Sequence, residues 1–265
     1  MSQILRPLRA NLGAIAAVSV GAGFIYAYAQ PKRSTVFGGF NPQYLRLESV
    51  EEVAHNMKRL RFAYPNADDE SGLPLTSSLL TLSTPASRLL PVLRPYTPIT
   101  TPTTRGHLDL LIKRYPHGAA SPYLHSLSPG DRLLFLAAIP GYAWKPNAFK
   151  RITCIAGGAG VTPVAVVLEG EWEGLVRAAG GRVRVVHVVG DGEGGMKEGW
   201  REGWVTKELL RELGVERREG GQDQSEMVFV CGPPGMEEML VGKGRGGGGG
   251  VLAELGFGRD RVHRF

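Results

Sequence analysis

The sequence has few of the residues that build a disulfide framework or a metal centre. It contains only two cysteines, Cys154 and Cys231, in 265 residues, and this number excludes a fold held together by several disulfides. The six histidines are scattered, and no cysteine or histidine spacing is typical of a zinc site. We therefore predict that the protein binds no metal.

Acidic residues are absent from the first 33 positions, which carry four basic side chains, Arg6, Arg9, Lys32 and Arg33. These four charges account for most of the formal net charge of +6. The rest of the chain is close to balanced, whereas a nucleic-acid-binding surface requires a clear excess of basic residues. We predict no nucleic-acid partner.

Charge of either sign is absent from residues 12–29, an apolar run of 18 residues. As a helix this run would extend about 27 Å, close to the ~30 Å hydrocarbon core of a bilayer. Tyr26 and Tyr28 stand at one end of the run, and aromatic rings favour the membrane interface. We predict a membrane anchor and targeting segment over 1–33, in contact with the lipid bilayer through 12–29. A cleaved targeting segment is the alternative.

Residues 34–43 are rich in glycine, proline, serine and threonine, and we interpret them as a linker. From 44 to about 140 the chain consists of short apolar runs separated by proline and glycine turns. The runs "KRLRFAY", "SSLLTLS", "HLDLLIKRY" and "DRLLFLAAI" favour strands. Short strands at this spacing are typical of an antiparallel sandwich or barrel.

The pattern changes at residue 151, where apolar strands begin to alternate with helix-like segments. "RITCIA", "RVRVVHVV" and "EMVFVC" are interpreted as strands, and "DRVHRF" as a last short one. "VTKELLREL" and "GPPGMEEML" favour helices. Strands that alternate with helices indicate a parallel α/β sheet, so we predict a second domain over 146–265.

Two glycine-containing loops follow predicted strands of this second domain. "GGAG" comes directly after "RITCIA", where bare backbone N–H groups at the start of a helix can bind an anion. The alternative is an ordinary turn. "CGPPGM" is the second loop, and its Cys231 would lie at the carboxyl end of the sheet, where ligands of open α/β sheets bind. A small buried apolar residue is the alternative interpretation of Cys231.

The stretch "LRPYTPIT" presents an unusual set of side chains in a stiff frame. Pro95 and Pro98 fix their own φ angles and push Arg94 and Thr97 toward extended backbone. With Tyr96 the stretch offers a cation, a flat aromatic ring and short hydroxyls. This set suits a ligand that is anionic at one end and carries a planar ring at the other.

"RPYTPIT", "GGAGVTP" and "VFVCGPPGM", in this order, resemble the flavin-dependent reductases related to ferredoxin–NADP reductase, and among them the fungal mitochondrial NADH–cytochrome b5 reductases. The likeness covers nearly all of 44–265. It implies an antiparallel β-barrel FAD domain over 44–145, followed by a parallel-sheet, Rossmann-like NADH domain over 146–265. It also implies FAD and NADH as cofactors, cytochrome b5 or a similar haem protein as the acceptor, and the mitochondrial outer membrane as the location.

The resemblance implies roles for individual residues toward FAD. Arg94 would bind the pyrophosphate, Tyr96 would pack on the flavin ring, and Thr97 would hydrogen-bond near the flavin N5. Thr97 and Cys231 are the expected catalytic residues, and Cys231 would lie near the nicotinamide. The full expected FAD set is Arg94, Pro95, Tyr96, Thr97, Leu111, Lys113, Tyr115, Gly118, Ala120, Ser121 and Thr162.

The resemblance likewise implies a binding site for NADH on the two glycine-containing loops. The expected set is Lys113, Gly157, Gly158, Gly160, Thr162, Pro163, Cys231, Gly232, Pro233 and Met236. Lys113 either helps to neutralise the nucleotide or is a solvated strand lysine. Asp191 either serves the NADH ribose or is a solvated loop residue.

The sequence departs from the family in ways that bear on activity. Ala159 stands where the family has a threonine, and a lost charge-assisted hydrogen bond costs about 1.5–3 kcal/mol. Only residues 164–199 separate the first loop from "GWVTKELL", so about one βα unit is missing. We expect a working NADH-dependent flavoenzyme. The alternatives are a flavin-binding relative with an impaired NADH domain and no reductase activity, and a gene model that has lost an exon.

Overall fold

The structure is a computed structural model, and it describes residues 34–38, 40–85, 89–145, 148–160, 162–163, 188–189, 201–217, 226–244 and 249–265. The predicted anchor, Asp191 and most of "RVRVVHVV" lie outside these residues. Within the described ranges, no helix is both long and apolar enough to cross a bilayer. The membrane anchor therefore stays a prediction.

Six antiparallel strands form the first sheet. They are β1 (Gln43–Ala54), β2 (Met57–Ala63), β3 (Ser78–Ser83), β4 (Val92–Tyr96), β5 (His107–Lys113) and β6 (Arg132–Ile139). Their order across the sheet is β4-β3-β6-β1-β2-β5. Beyond the end of β4, the Ile99 N–H donates to the Asp109 carbonyl of β5 across 2.8 Å. This bond joins the two outer strands and closes the sheet into a barrel.

The burial of side chains alternates along these strands, because successive residues point to opposite faces of the sheet. In β3, Leu79, Thr81 and Ser83 are buried, while the residues between them are half-buried. The barrel core contains the fully buried side chains Leu45, Leu47, Leu60, Phe62, Leu79, Leu108, Leu110, Ile112, Leu124, Leu133 and Phe135. The antiparallel barrel predicted for this part of the chain is thus observed.

The segment interpreted as a linker contributes to the barrel core. Val36 and Phe37 are buried, and their N–H groups donate to the carbonyls of Glu70 and Ser71, each across 3.0 Å. Phe37 packs against Phe135, with ring centroids 5.9 Å apart. Glycine-rich composition indicated a free connection, but two apolar side chains in this segment are enough to hold residues 36–37 on the barrel.

The second sheet is parallel and has the order β11-β10-β7. Its strands are β7 (Arg151–Ala156), β10 (Glu226–Cys231) and β11 (Val262–Arg264), and a short pair is formed by β8 (Val188–Val189) and β9 (Arg201–Glu202). The helices that pack here are α2 (Lys207–Glu212), α3 (Pro234–Val241) and α4 (Val251–Glu254); α1 (Ser121–Ser126) belongs to the barrel. The sequence did not predict α1 or α4.

Local sequence explains where the helices of the second sheet begin. The Thr206 side chain accepts a hydrogen bond from the Leu209 N–H, a cap that starts α2. Pro234 occupies the first turn of α3, where the absence of an N–H costs nothing. The core beneath includes Ile155, Val228, Val230, Leu240, Leu252 and Phe257. The predicted order of strand, loop and helix is observed at the second glycine-containing loop, where α3 follows β10. At the first loop the structure describes β7 and the turn at 158–160, and the helix predicted after it lies almost wholly outside the described residues.

Candidate functional site

The end of β4 presents the first group of predicted site residues. The Arg94 side chain is exposed, and its Nη1 donates to the Leu93 carbonyl across 2.8 Å. It makes no ion pair with a carboxylate in the described part of the chain, so its charge is available to an anionic ligand. Tyr96 is half-buried, and burial raises its pKa to about 12, while Arg94 acts in the opposite direction.

Thr97 follows β4 and is buried, with 9% of its surface exposed. Its Oγ1 lies 2.9 Å from the Ser78 Oγ, within hydrogen-bond distance. The residue also lines a small, open cleft, together with Thr76, Ser77 and Pro98. Thr97 is therefore held by β3 at the wall of this cleft.

The connection from β5 to α1 brings Tyr115, Gly118 and Ser121 together. The Tyr115 N–H donates to the Ser121 Oγ across 3.0 Å, and the Gly118 N–H donates to the Tyr115 carbonyl across 2.9 Å. A Cβ on Gly118 would lie 2.7 Å from the Ser121 Oγ, so the turn requires glycine. The Ser121 hydroxyl still has its own proton to donate to an anion. Ala120 beside it is buried.

The two glycine-containing loops of the second sheet touch each other through backbone atoms. The Gly157 N–H donates to the Cys231 carbonyl across 2.9 Å. A Cβ on Gly160 would collide with the Cys231 carbonyl, and one on Gly232 would collide with the Met236 side chain. At Gly160 the clash is with backbone, so the close approach of the loops requires a residue without a Cβ there, whereas at Gly157 and Gly232 the nearest atom belongs to the flexible Met236 side chain. Pro233 lies against the same contact.

Cys231 ends β10, at the carboxyl edge of the sheet where the sequence placed it. Burial, and after it the neighbouring Glu237 carboxylate, raises the pKa of its thiol to about 11. Glu237 accepts a hydrogen bond from the Gly232 N–H across 3.0 Å and lies 3.6 Å from the Arg264 Nε. Cys231 is thus a neutral thiol at neutral pH, in a loop that Glu237 holds in place.

The barrel and "GGAG", the first glycine-containing loop, meet at Tyr115. Gly158 has a positive φ of 54°, and a Cβ built on it would lie 3.6 Å from the Tyr115 hydroxyl. Tyr115 also acts on the pKa of Tyr96, so its hydroxyl is near both groups. Leu111 and Lys113 are half-buried on β5, which leads into Tyr115. Tyr115 of the predicted FAD set and Gly158 of the predicted NADH set are therefore neighbours in the structure.

Thr162 and Pro163 follow the first loop and are both buried. Sequence reasoning missed Ser78 and Glu237, because neither stands in a recognised motif. Their contacts join segments 19 and 5 residues apart. The alternation of β3 places Ser78 on a definite face, but only the fold shows that Thr97 lies opposite.

The chain matches two family models: an oxidoreductase FAD-binding domain over residues 44–139 and an oxidoreductase NAD-binding domain over residues 165–241. It is 34% identical over 305 residues to NADH-cytochrome b5 reductase 2 of Emericella nidulans, covering 100% of this chain and 92% of the relative. It is also 34% identical over 255 residues to NADH-cytochrome b5 reductase 2 of Phaeosphaeria nodorum, covering 83% of this chain and 74% of the relative.

A solved structure with a similar fold is the cytochrome b5 reductase domain of Ulva prolifera nitrate reductase. The TM-score is 0.69 at 21% identity, and the match covers 88% of this chain and 100% of that chain. Together, the fold and the domain matches define an FAD-dependent oxidoreductase that uses NADH. The sequence identity is more specific, and the chain belongs to the NADH-cytochrome b5 reductase family. The predicted family, enzyme class and cofactors are confirmed.

The match to the Emericella relative also bears on the shortened second domain. The alignment is 305 residues long, whereas the chain has 265 residues, so at least 40 residues of the relative have no counterpart here. A βα unit is of about that size. The predicted place of the loss, 164–199, lies almost wholly outside the described residues, so the missing βα unit stays a prediction.

Proposed function

We propose that this oxidoreductase is membrane-anchored and passes electrons from NADH, through FAD, to cytochrome b5 or a similar haem protein. One observation carries the proposal: the barrel edge and the nucleotide loops meet at Tyr115 and Gly158. Electron transfer between two bound cofactors requires such a junction. The names of the relatives support the acceptor, since they are NADH-cytochrome b5 reductases.

The residues at the barrel edge fit FAD. Arg94 supplies an exposed cation to the pyrophosphate, and Tyr96 supplies a half-buried ring for the flavin to lie against. Gly118 makes the tight turn that presents the backbone N–H groups and the Ser121 hydroxyl. When bound, FAD supplies the redox chemistry, taking a hydride and releasing electrons one at a time. The Thr97 hydroxyl, which lies within hydrogen-bond distance of Ser78, would be the side-chain group offered to the flavin.

The two loops at the carboxyl edge of the second sheet fit a nicotinamide nucleotide. The N–H groups of Gly157 and Gly160 already donate to the carbonyls of Cys231 and Gly157, so Gly158 is the loop glycine whose backbone N–H we assign to the pyrophosphate. Cys231 offers a neutral thiol beside the nicotinamide, because its pKa is about 11.

The membrane location rests on the sequence. Residues 12–29 carry no charge, and their length matches a bilayer core. The mitochondrial outer membrane comes from the resemblance to fungal mitochondrial reductases. An anchored reductase meets a membrane-bound acceptor at a high effective concentration, which is the physical advantage of such an anchor.

The test uses the full chain, purified in detergent with its flavin. Its absorbance is recorded from about 350 to 550 nm, where an enzyme-bound flavin absorbs, before and after NADH is added without oxygen. Bleaching of the flavin band, followed by reduction of added cytochrome b5, supports the proposal. A band that stays oxidised would leave a flavin-binding protein with an impaired NADH domain. Folded protein without flavin would contradict the assignment of the barrel edge.

A further inference from the structure

The outer surface of the barrel carries an unbroken apolar row across four neighbouring strands. Tyr44 of β1 pairs with Leu134 of β6, Leu134 pairs with Leu82 of β3, and Leu82 pairs with Leu93 of β4. Directly paired residues in a sheet point to the same face. Leu45 of β1 and its partner Leu133 of β6 are buried. Their chain neighbours Tyr44 and Leu134 therefore point outward, and so does the row of four. We call Tyr44, Leu134, Leu82 and Leu93, with the two arginines described next, the outer barrel face.

The row continues into a pair of like charges. Arg46 and Arg132 are the next outward-facing residues on β1 and β6, and they pair directly with each other. Like charges directly opposite in a sheet are destabilising. Both side chains are exposed, and neither forms an ion pair with a carboxylate in the described part of the chain. Such an uncompensated pair indicates an anionic partner.

Further apolar side chains stand at the same end of the sheet. Tyr44 is 65% exposed and Leu93 is 44% exposed, while Leu89 and Leu90, just before β4, are almost entirely exposed. Val92, the first residue of β4, pairs with Ser83, which lies one position nearer to the arginine pair than Leu82 does. The outer barrel face therefore combines exposed leucines, a tyrosine and paired cations. Monomeric soluble proteins rarely leave such apolar patches uncovered.

We propose that the outer barrel face lies on an anionic membrane surface. Leucine and tyrosine enter the boundary between headgroups and acyl chains, and arginines bind lipid phosphates. The sequence places this face near lipid, since the uncharged segment 12–29 ends fifteen residues before Tyr44. In this respect the inference rests on the proposed anchor. The anchor keeps the enzyme at the bilayer, and the outer barrel face sets its orientation there.

The outer barrel face leaves the redox site free. Arg94 and Tyr96 pair with Thr81 and Leu79, which are buried on the inner side of the sheet. Leu93, being adjacent to Arg94 in a strand, points to the other side. Contact of the outer barrel face with lipid at Leu93 therefore does not cover the side of β4 that carries Arg94 and Tyr96.

The test measures contact between one side chain of the face and lipid acyl chains in the full chain. Tyr44→Trp is bound to phosphatidylcholine vesicles that contain phosphatidylserine and brominated acyl chains, which quench indole fluorescence on contact. The four native tryptophans give a common background, measured on the unaltered chain. Met239→Trp, a partly exposed position on α3, is the matched control. We expect loss of the emission added by Y44W and no loss of that added by M239W.

A second pair of variants tests the arginines. Arg46→Gln with Arg132→Gln should reduce the quenching of Y44W, since each arginine near an anionic surface contributes about fivefold to affinity. Lys243→Gln with Arg259→Gln removes the same charge from exposed positions in the second domain and should leave the quenching unchanged. Equal effects of the two pairs would show attraction by net charge alone and would overturn the inference.

Flotation with the same vesicles separates failure of the face from failure of the anchor. If the chain floats with neutral vesicles and Y44W is not quenched on anionic ones, the anchor stands and the outer barrel face is refuted. If it floats only with anionic vesicles, and R46Q/R132Q abolishes this, the face binds and the anchor is refuted. A chain that floats with neither refutes both.

Discussion

The hydroxyl oxygen of Ser78 lies 2.9 Å from that of Thr97 and ties the residue after β4 to the first residue of β3. Thr97 is the predicted catalytic residue at the flavin. In the described part of the chain, the bond to Ser78 is the side-chain hydrogen bond that can fix the Thr97 rotamer. The direction of the Thr97 hydroxyl therefore depends on Ser78. Ser78 thus acts through Thr97 and is a positioning residue.

We predict that Ser78→Ala lowers the rate of flavin reduction by NADH about fivefold, since one hydrogen bond is worth about 1 kcal/mol. Anaerobic stopped-flow absorbance would measure this, and KM for NADH should stay unchanged because no nucleotide contact is lost. Ser83→Ala is the matched control, because the buried Ser83 Oγ has no hydrogen-bond partner in the described barrel. An S78A enzyme as fast as S83A would show that Thr97 needs no support from β3.

The contact between the two nucleotide loops gives a second prediction. A Cβ on Gly160 would collide with the Cys231 carbonyl and lie 2.7 Å from the Gly232 N. Because backbone atoms cannot rotate away, Gly160→Ala must push the loops apart. We expect a cost of about 1–3 kcal/mol in the free energy of unfolding, together with weaker NADH binding, measured by urea titration and by the NADH dependence of flavin reduction.

Gly235→Ala is the control for that substitution, in the same domain. No atom lies within 4 Å of a Cβ at Gly235, which is in the first turn of α3. Alanine favours a helix over glycine by up to about 1 kcal/mol, so G235A should be neutral or stabilising. If G160A and G235A behave alike, the tight approach of the loops has no energetic consequence.

A third prediction concerns the strained backbone of Thr76. Its φ is +60°, a region that a β-branched residue rarely occupies. The Trp144 Nε1 donates to the Thr76 Oγ1 across 3.0 Å, and the indole stacks on Phe229 of β10 with centroids 4.6 Å apart. Trp144→Phe keeps the stacking and removes the hydrogen bond. It should cost about 1 kcal/mol of stability in the natural chain.

A double-mutant cycle isolates this bond. Thr76→Gly relieves about 1–2 kcal/mol of left-handed strain and removes the acceptor, so W144F should cost little in that background. Urea unfolding of the four proteins measures the coupling, and an equal cost of W144F in both backgrounds would contradict it. Trp204→Phe is the control, because Trp204 is 77% exposed.

The sequence predicted those parts of the fold that follow from local pattern. β2 was visible because its apolar residues alternate, and β3, β5 and β6 because they are short apolar runs between proline and glycine turns. β7 and β10 were visible because short apolar runs precede glycine loops. The burial of Val36 and Phe37 was not visible, since glycine-rich composition says nothing of which neighbours a segment meets. Helix α1 has only six residues, too few to show helical periodicity.

The residues of the candidate site also fall into those that a local pattern predicts and those that depend on contacts between distant segments. Arg94, Tyr96 and Thr97 were found because they form one motif, and Gly157, Gly160 and Cys231 because each follows a strand. Ser78 supports Thr97 from β3, and Trp144 bonds to Thr76 from a distant segment. No spacing rule connects either pair. Contacts of this kind depend on sheet order and on strand register. The sequence did not determine either of these for the barrel.

The last prediction concerns the protonation of Cys231. Burial, and after it the Glu237 carboxylate, raises the pKa of this thiol from its ordinary 9.0 to about 11. A shift of this size leaves about 100-fold less thiolate at pH 8 than in an unfolded chain, so iodoacetamide should alkylate Cys231 of the native protein correspondingly slowly. Peptide mass spectrometry separates Cys231 from Cys154.

The sign of the shift also fixes the effect on stability. A raised folded-state pKa stabilises the fold below pH 9, and this contribution is lost as pH rises from about 9 to 11, because only the unfolded thiol ionises there. Cys231→Ala should therefore flatten the fall in urea midpoint over that range. Glu237→Gln should speed alkylation, while Glu238→Gln, at an exposed position, should not. Native Cys231 that reacts as fast as the unfolded thiol would mean that the loop neither shields the thiol nor raises its pKa.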